Sequence, residues 1–184
     1  MARSLIVNTW KAAGAKVQGI NHQKNSIPCH DSFEITNNDS FVCAVVADGA
    51  GSAKYAELAS KIVTERVRFI LEKEFDNYSN ASFSDVQSKI IHRLRTSLGR
   101  IAKKKNAIKN DFLSTLLFVA IRNGKYLAGH IGDGAIGVLE NNSIKTLSVP
   151  LNGEYRNQTF FVTSNNYKDN FRLYSGNVNS IQGF

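Results

Sequence analysis

An α+β fold with a largely antiparallel sheet is predicted, on three observations. Short apolar runs come first, at 31–36 and 41–47. Two long segments with apolar residues at helical spacing follow, one over 53–75 and one behind Ser84. From Phe112 onward short apolar segments return, separated by Asn-Gly, Gly-Asp-Gly and Asn-Asn turn signals. Strands, then helices, then strands argue against an alternating α/β arrangement. The 184 residues form one expected domain, 1–184, and a chain of this size buries ~70% of its unfolded surface.

Taken in order, residues 10–20 alternate loosely and read as an edge-type strand, and 21–30 as a polar loop broken by Pro28. Asp31 to Thr36 reads as a short strand, joined through the turn residues Asn37-Asn38-Asp39 to Phe41–Ala47. The pair predicts an antiparallel hairpin. Phe41–Ala47 is an unbroken apolar run, the pattern of a strand buried on both faces. Ser52 is placed as the N-cap of a first helix, about Ala53 to Phe75, with Ala56, Ala59, Ile62, Val63, Val67 and Ile70 on one side. Ser84-x-x-Gln87 is placed as the capping box of a second, with Val86, Ile90, Leu94, Leu98 and Ile101 in register. Each helix has one apolar face and so covers a sheet. Beyond them lie a long strand at 113–122, a hairpin at Asn123-Gly124, another at Asn141-Asn142, and strands at 159–164 and 171–176.

Composition excludes several classes. No apolar run approaches the ~20 residues of a membrane span, and the N-terminal stretch has too short an apolar core for a secretory signal. Cys29 and Cys43 are too few for a disulfide framework, so both are expected reduced and the protein cytoplasmic. The net charge of +8 raises nucleic acid as a partner. Its one cluster, Arg93, Arg95, Arg100, Lys103, Lys104, Lys105 and Lys109, lies on and after an amphipathic helix and reads as a solvated face. No nucleic-acid motif accompanies it.

The chemistry concentrates where Phe41–Ala47 ends. Asp48 stands at the mouth of the strand, followed by the small-residue turn Gly49-Ala50-Gly51 and a helix start. Glycine leaves a backbone carbonyl within reach of a ligand, and oxygen donors of this kind suit a hard divalent cation. A plain strand–turn–helix connection explains the same local pattern. In an antiparallel pair, Asp31 opening one strand and Asp48 closing the next are neighbours, so two carboxylates are expected at one sheet edge.

Three motifs give the chain a resemblance. Pro28-Cys29-His30-Asp31-Ser32-Phe33, Val46-Ala47-Asp48-Gly49-Ala50-Gly51-Ser52, and Ser114-Thr115-Leu116 with His130-Ile131-Gly132-Asp133-Gly134 occur in this order. Glu154-Tyr155-x-Asn157-Gln158-Thr159 adds a fourth segment. Together they resemble the metal-dependent PPM (PP2C-type) protein phosphatases, in particular a bacterial branch. The resemblance implies an αββα sandwich, two antiparallel sheets flanked by helices. It implies hydrolysis of phosphoserine and phosphothreonine in a phosphoprotein substrate by a water activated at a binuclear Mn²⁺ or Mg²⁺ centre, with a third ion in some forms. Asp48 would bridge the metals, Gly49 would offer its carbonyl, Asp31 would hold a metal-bound water, and Asp133 would serve a weaker metal site. A turn aspartate between glycines is the alternative explanation of Asp133.

The chain departs from that family at three places. His30 stands where the family often has glutamate or glutamine, and imidazole is softer than the oxygen donors these cations prefer. No phosphate-binding arginine is evident, leaving His22 and Lys24 as the nearest candidates. His92 reads as structural, and His130 either orients the Asp133 turn or is a plain strand-end residue. Two further metal aspartates expected C-terminally are absent from the 184 residues, so the domain is expected to be incomplete at its C-terminus. A non-catalytic PPM-like binding or regulatory module is the alternative, and a nucleic-acid-binding protein a third.

Overall fold

The computed structural model describes residues 10–151 and 159–184. The expected similarity at Glu154, Tyr155, Asn157 and Gln158 falls outside the described residues, as does the N-terminal stretch 1–9. The described elements are α1 (Ile20–Lys24), β1 (Asp31–Asn37), β2 (Val42–Asp48), α2 (Ala56–Tyr78), α3 (Phe83–Lys104), a 3-10 turn (Lys109–Asp111), β3 (Leu116–Arg122), β4 (Lys125–Ile131), β5 (Ile136–Glu140), β6 (Ser143–Ser148), α4 (Tyr167–Asn170), β7 (Arg172–Asn177) and β8 (Ile181–Gly183). They build two antiparallel sheets, β1-β2-β3-β4-β7 and β6-β5-β8. The α+β prediction therefore holds, with helices packed on one face of the larger sheet. No helix pair on the outer face of the smaller sheet is present among the described residues.

The core forms where α2 and α3 meet the larger sheet. Cys43, Val45 and Ala47 of β2, Val63, Val67 and Ile70 of α2, and Ile90 and Leu94 of α3 share one buried cluster. Burial of both helices follows from their apolar stripes, as read from the sequence. The other face of β2 is not equally covered: Val46 is 49% exposed, so the run at 41–47 is buried on one face and half-covered on the other. A continuous apolar run cannot report which face lacks a layer.

The hairpins are where the turn chemistry placed them. Asn123 and Gly124 take φ of 52° and 74°, and Asn141 and Asn142 take 51° and 59°. Those positive values suit the tight turns that join twisted strands. Asn38 closes the β1–β2 connection by accepting from the Ser40 and Phe41 amides at 3.1 and 2.8 Å.

Other boundaries move, each for a local reason. Helix α2 starts after Tyr55, not Ser52, and its cap residue makes no side-chain cap bond. Residues 50–56 are used in successive turns, Ala53 N–H to the Ala50 carbonyl (2.8 Å) and Ala56 N–H to the Ala53 carbonyl (3.3 Å). The Tyr55 amide is instead fixed to the Asp111 carbonyl at 2.9 Å, and its ring stacks on Phe112. Helix α3 is capped by Ser82, two residues before Ser84, with its hydroxyl accepting from the Asp85 amide at 3.1 Å. The Asp85 carboxylate accepts from the Ser82 hydroxyl at 2.7 Å, so the expected Ser84–Gln87 capping box is replaced by a one-sided cap at Ser82. Residues 10–19 make no strand, and 20–24 form a short helix rather than loop. The Asn37 amide takes the place of a ladder there, accepting from Ala12 N at 2.7 Å and donating to Ala12 O at 2.8 Å. The 159–164 strand is also absent. That apolar segment is buried as a turn beneath α3, its carbonyls at Val162 and Ser164 taken by Arg95.

Candidate metal and phosphate site

Strand pairing sets the site. Asp31 and Asp48 are register partners at the ends of β1 and β2, so one sheet edge carries both carboxylates, as the hairpin required. The two carboxylates are close enough to repel one another, and Asp133 lies within electrostatic reach. Asp48 stands open to solvent at the surface. The protein atoms crowded behind it, then the charges of Asp31 and Asp133, push its carboxyl up to about 6, while His22 acts weakly in the opposite direction. The crowding withholds solvation from the charged form, and the neighbouring aspartates repel it.

The turn after Asp48 is held from three sides. Thr115 accepts from the Asp48 amide through Oγ1 (2.9 Å), and its own amide donates to the Asp48 carbonyl (2.9 Å). Gly49 bridges to Ser114, donates its N–H to the His30 carbonyl at 3.2 Å, and is followed by Ala50 donating to Leu113 at 3.1 Å. Its carbonyl accepts no hydrogen bond among the described residues. Gly49 is required sterically, because a Cβ there would collide with the Ala56 backbone carbonyl. Gly132, at φ 130°, is required too: a Cβ would lie 2.6 Å from Thr115 Cγ2. The Gly-Asp-Gly turn is thus packed against the threonine that holds Asp48, and the distant motifs meet in one place.

The remaining candidates divide. His22 donates from Nδ1 to the Pro28 carbonyl (3.1 Å), and its ring meets that of His30 edge-on with centroids 4.8 Å apart. Lys24 is exposed on α1 and makes no side-chain hydrogen bond or ion pair among the described residues. His30 Nδ1 is buried without a hydrogen-bond partner. Its carbonyl accepts from Ser60 Oγ at 2.5 Å as well as from Gly49. His92 lies on the exposed side of α3. His130 is fully buried, paired through Nδ1 with Ser148 Oγ at 2.7 Å.

Sequence reasoning missed Ser60, Thr64 and the positioning part of Thr115. Ser60 and Thr64 are fully buried on the inner face of α2, and Thr64 meets Ser32 of β1 at 3.0 Å. The available signal was two hydroxyl residues four apart on an otherwise apolar stripe. Burial of such groups requires partners, and here Thr64 finds Ser32 of the strand that carries Asp31, and Ser60 the carbonyl of His30 just before it.

A family model described as protein phosphatase 2C matches residues 18–184. The chain belongs to that family. It is 26% identical over 162 residues to serine/threonine-protein phosphatase 3 of Escherichia coli (strain K12), an alignment covering 84% of this chain and 63% of that relative. The chain thus spans less than two thirds of the relative's length. Among solved structures it resembles the serine/threonine phosphatase Stp1 from Staphylococcus aureus, with a TM-score of 0.60 at 16% identity over 84% of this chain and 67% of that one. It also resembles the Mycobacterium tuberculosis phosphatase PstP/Ppp, with a TM-score of 0.55 at 15% identity over 82% and 67%. These structural likenesses establish the PP2C fold. No helix among the described residues is long and apolar enough to cross a membrane.

The donors at this edge are carboxylates and a carbonyl with no hydrogen-bond donor, the chemistry a hard divalent cation takes. Their number is small. Among the described residues no group of three or more His, Cys, Asp or Glu side chains is arranged to hold a metal ion.

Proposed function

We propose that this PP2C-family chain serves the hydrolysis of phosphoserine and phosphothreonine in protein substrates, with Mn²⁺ or Mg²⁺ held at the Asp48 edge. The observation that carries this reading is the opposition of Asp31 and Asp48 at one sheet end, with the Asp48 carboxyl pushed up to about 6. Like charges gathered in this way are relieved by a bound cation. When bound, divalent cations supply charge neutralisation for phosphoryl oxygens and a more acidic water.

The chain's own residues would do the rest. Asp48 and the Gly49 carbonyl would ligate, and Asp31 would hold a metal-bound water. Asp133, on its packed turn, would serve a further, weaker cation position. Thr115 would hold Asp48 in line by its two bonds to the Asp48 backbone. His22, near enough to act on Asp48, is a better placed phosphate contact than Lys24. Two free thiols, Cys29 and Cys43, fit a reducing compartment such as the cytoplasm.

Calorimetric titration with Mn²⁺, alongside release of phosphate from a phosphothreonine peptide, tests the reading. With so few converging donors, the 184-residue chain is expected to bind Mn²⁺ weakly and turn over slowly. Asp48→Asn is expected to remove that binding and leave the circular dichroism spectrum unchanged. Equal Mn²⁺ binding by parent and Asp48→Asn would overturn the assignment of the site.

A further inference from the structure

Part of the basic cluster is not a solvated face. Arg95, on the inner side of α3, directs its guanidinium at the buried turn 162–164, donating to the Val162 carbonyl at 3.1 Å and to that of Ser164. Lys109, on the 3-10 turn after α3, donates to Asn165 Oδ1 at 2.9 Å. Neither has an acidic partner among the described residues. The two repel one another, and partial burial together with that repulsion lowers the Lys109 pKa.

Between them opens a chamber of about 280 Å³, walled by Leu98, Gly99, Ala102 and Phe112. A second hollow of about 160 Å³ adjoins it, sharing Lys109 and Thr163. Thr163 is 3% exposed, and its Oγ1 has no hydrogen-bond partner. The chamber therefore combines an apolar wall with two cations that lack a counter-charge. Small-molecule sites have this make-up, mostly apolar with a few converging polar groups.

We propose that this chamber binds a small organic anion, with an aromatic or short aliphatic body against Leu98, Ala102 and Phe112 and a carboxylate or phosphoryl head at Arg95 and Lys109. The site is separate from the Asp48 edge and stands whether or not the phosphatase reading does. It is connected to that edge through backbone: Val162 N–H donates to the Ser114 carbonyl (3.0 Å), Ser114 bridges to Gly49, and Leu113 accepts from Ala50. A ligand that fills the chamber steadies Phe112 and the 162–164 turn, and with them the strand end that carries Thr115.

Isothermal titration of the full chain in EDTA tests this, with benzoate, phenylphosphonate, inorganic phosphate and benzyl alcohol as probes. EDTA removes cations that would recruit an anion to Asp48. One-to-one binding of benzoate or phenylphosphonate is expected, at least tenfold tighter than benzyl alcohol or inorganic phosphate; the tighter of the two names the head group. Lys109→Gln should weaken that binding at least tenfold. Gly99→Leu should abolish it while the melting temperature holds or rises, because a side chain begun at Gly99 meets nothing within 4 Å and glycine is a poor helix residue. Saturation should also shift the Ala50 and Thr115 amide resonances. Absence of saturable binding by both anions, or binding unchanged in Lys109→Gln or Gly99→Leu, overturns the site. Unmoved resonances at Ala50 and Thr115 overturn the connection to the Asp48 edge.

Discussion

A carboxylate crowded by two others weakens the fold that holds it, and Asp48 is in that position. Replacing it by asparagine removes the repulsion and keeps the shape. In EDTA, Asp48→Asn is therefore expected to melt at the same temperature as the parent or higher, while Mn²⁺-dependent phosphate release is lost. A clear fall in melting temperature would mean that Asp48 is a structural residue. Gly49 behaves oppositely. Its Cβ would meet the Ala56 carbonyl, so Gly49→Ala is expected to cost about 1–3 kcal/mol in urea denaturation, as overpacking does. The cysteines differ as well: Cys43 is fully buried and burial pushes its thiol up to about 12, whereas Cys29 is only partly covered. A native chain should take up one equivalent of iodoacetamide, at Cys29, and two only when unfolded. Asp31, Asp48 and Gly49 were legible because strand ends and small-residue turns leave a mark in sequence. Ser60 and Thr115 were not, because a hydroxyl inside an apolar pattern does not name its distant partner.

At the level of the elements, the two serines at the start of α3, Ser82 as its cap and Ser84 inside its first turn, separate a correct cap from a plausible one. Ser82→Ala should destabilise by about 1 kcal/mol, and Ser84→Ala should stay within ~0.5 kcal/mol, both read from urea midpoints. Equal losses would contradict the observed helix start. The hairpins could be read because Asn-Gly and Asn-Asn tolerate the positive φ they adopt. The supposed strands at 10–20 and 159–164 could not, because a side-chain amide and a guanidinium satisfy backbone groups there in place of a ladder. The end of β4 adds a pH dependence. Burial, the largest cause, holds the His130 pKa below its ordinary value; the nearby Gly132 backbone and Asp133 oppose it, and Arg172 acts in the same direction as burial. The unfolded chain thus takes up this proton at a higher pH than the folded one. Its contribution is present above about 6.5 and is lost as pH falls below that value. Asp48, whose carboxyl is pushed up to about 6, adds stability as pH falls through the same window, so the test is made in Asp48→Asn, where the urea midpoint should drop between pH 7 and pH 5 and His130→Gln should flatten the drop.

Across the whole molecule, packing is uneven. Helix α2 lies on β1, β2 and β3, and the buried side chains of β2, β3 and β4 share one cluster with α2 and α3. Among the described residues the smaller sheet has no such cover: Ser143, Ile144, Lys145 and Thr146 of β6 are all exposed, Ile144 at 81%. Beside the larger sheet's other face, Val42, Ala44, Val119 and Ile121 line a cleft of about 500 Å³ bordered by residues 10–13 and 181–184. Sequence patterning indicated strands in both sheets but not this difference, since an apolar strand reads the same whether or not a neighbouring layer covers it. Local opening costs least where few apolar contacts must break. Amide exchange should therefore be slowest in β2, β3 and β4, approaching the rate set by global unfolding, and much faster throughout β5, β6 and β8. Within β2, Val45 should outlast Asp48, because the strand end opens without disturbing the core. If the amides of β6 are protected as strongly as those of β3, the two sheets unfold as one unit and the uneven coverage has no energetic consequence.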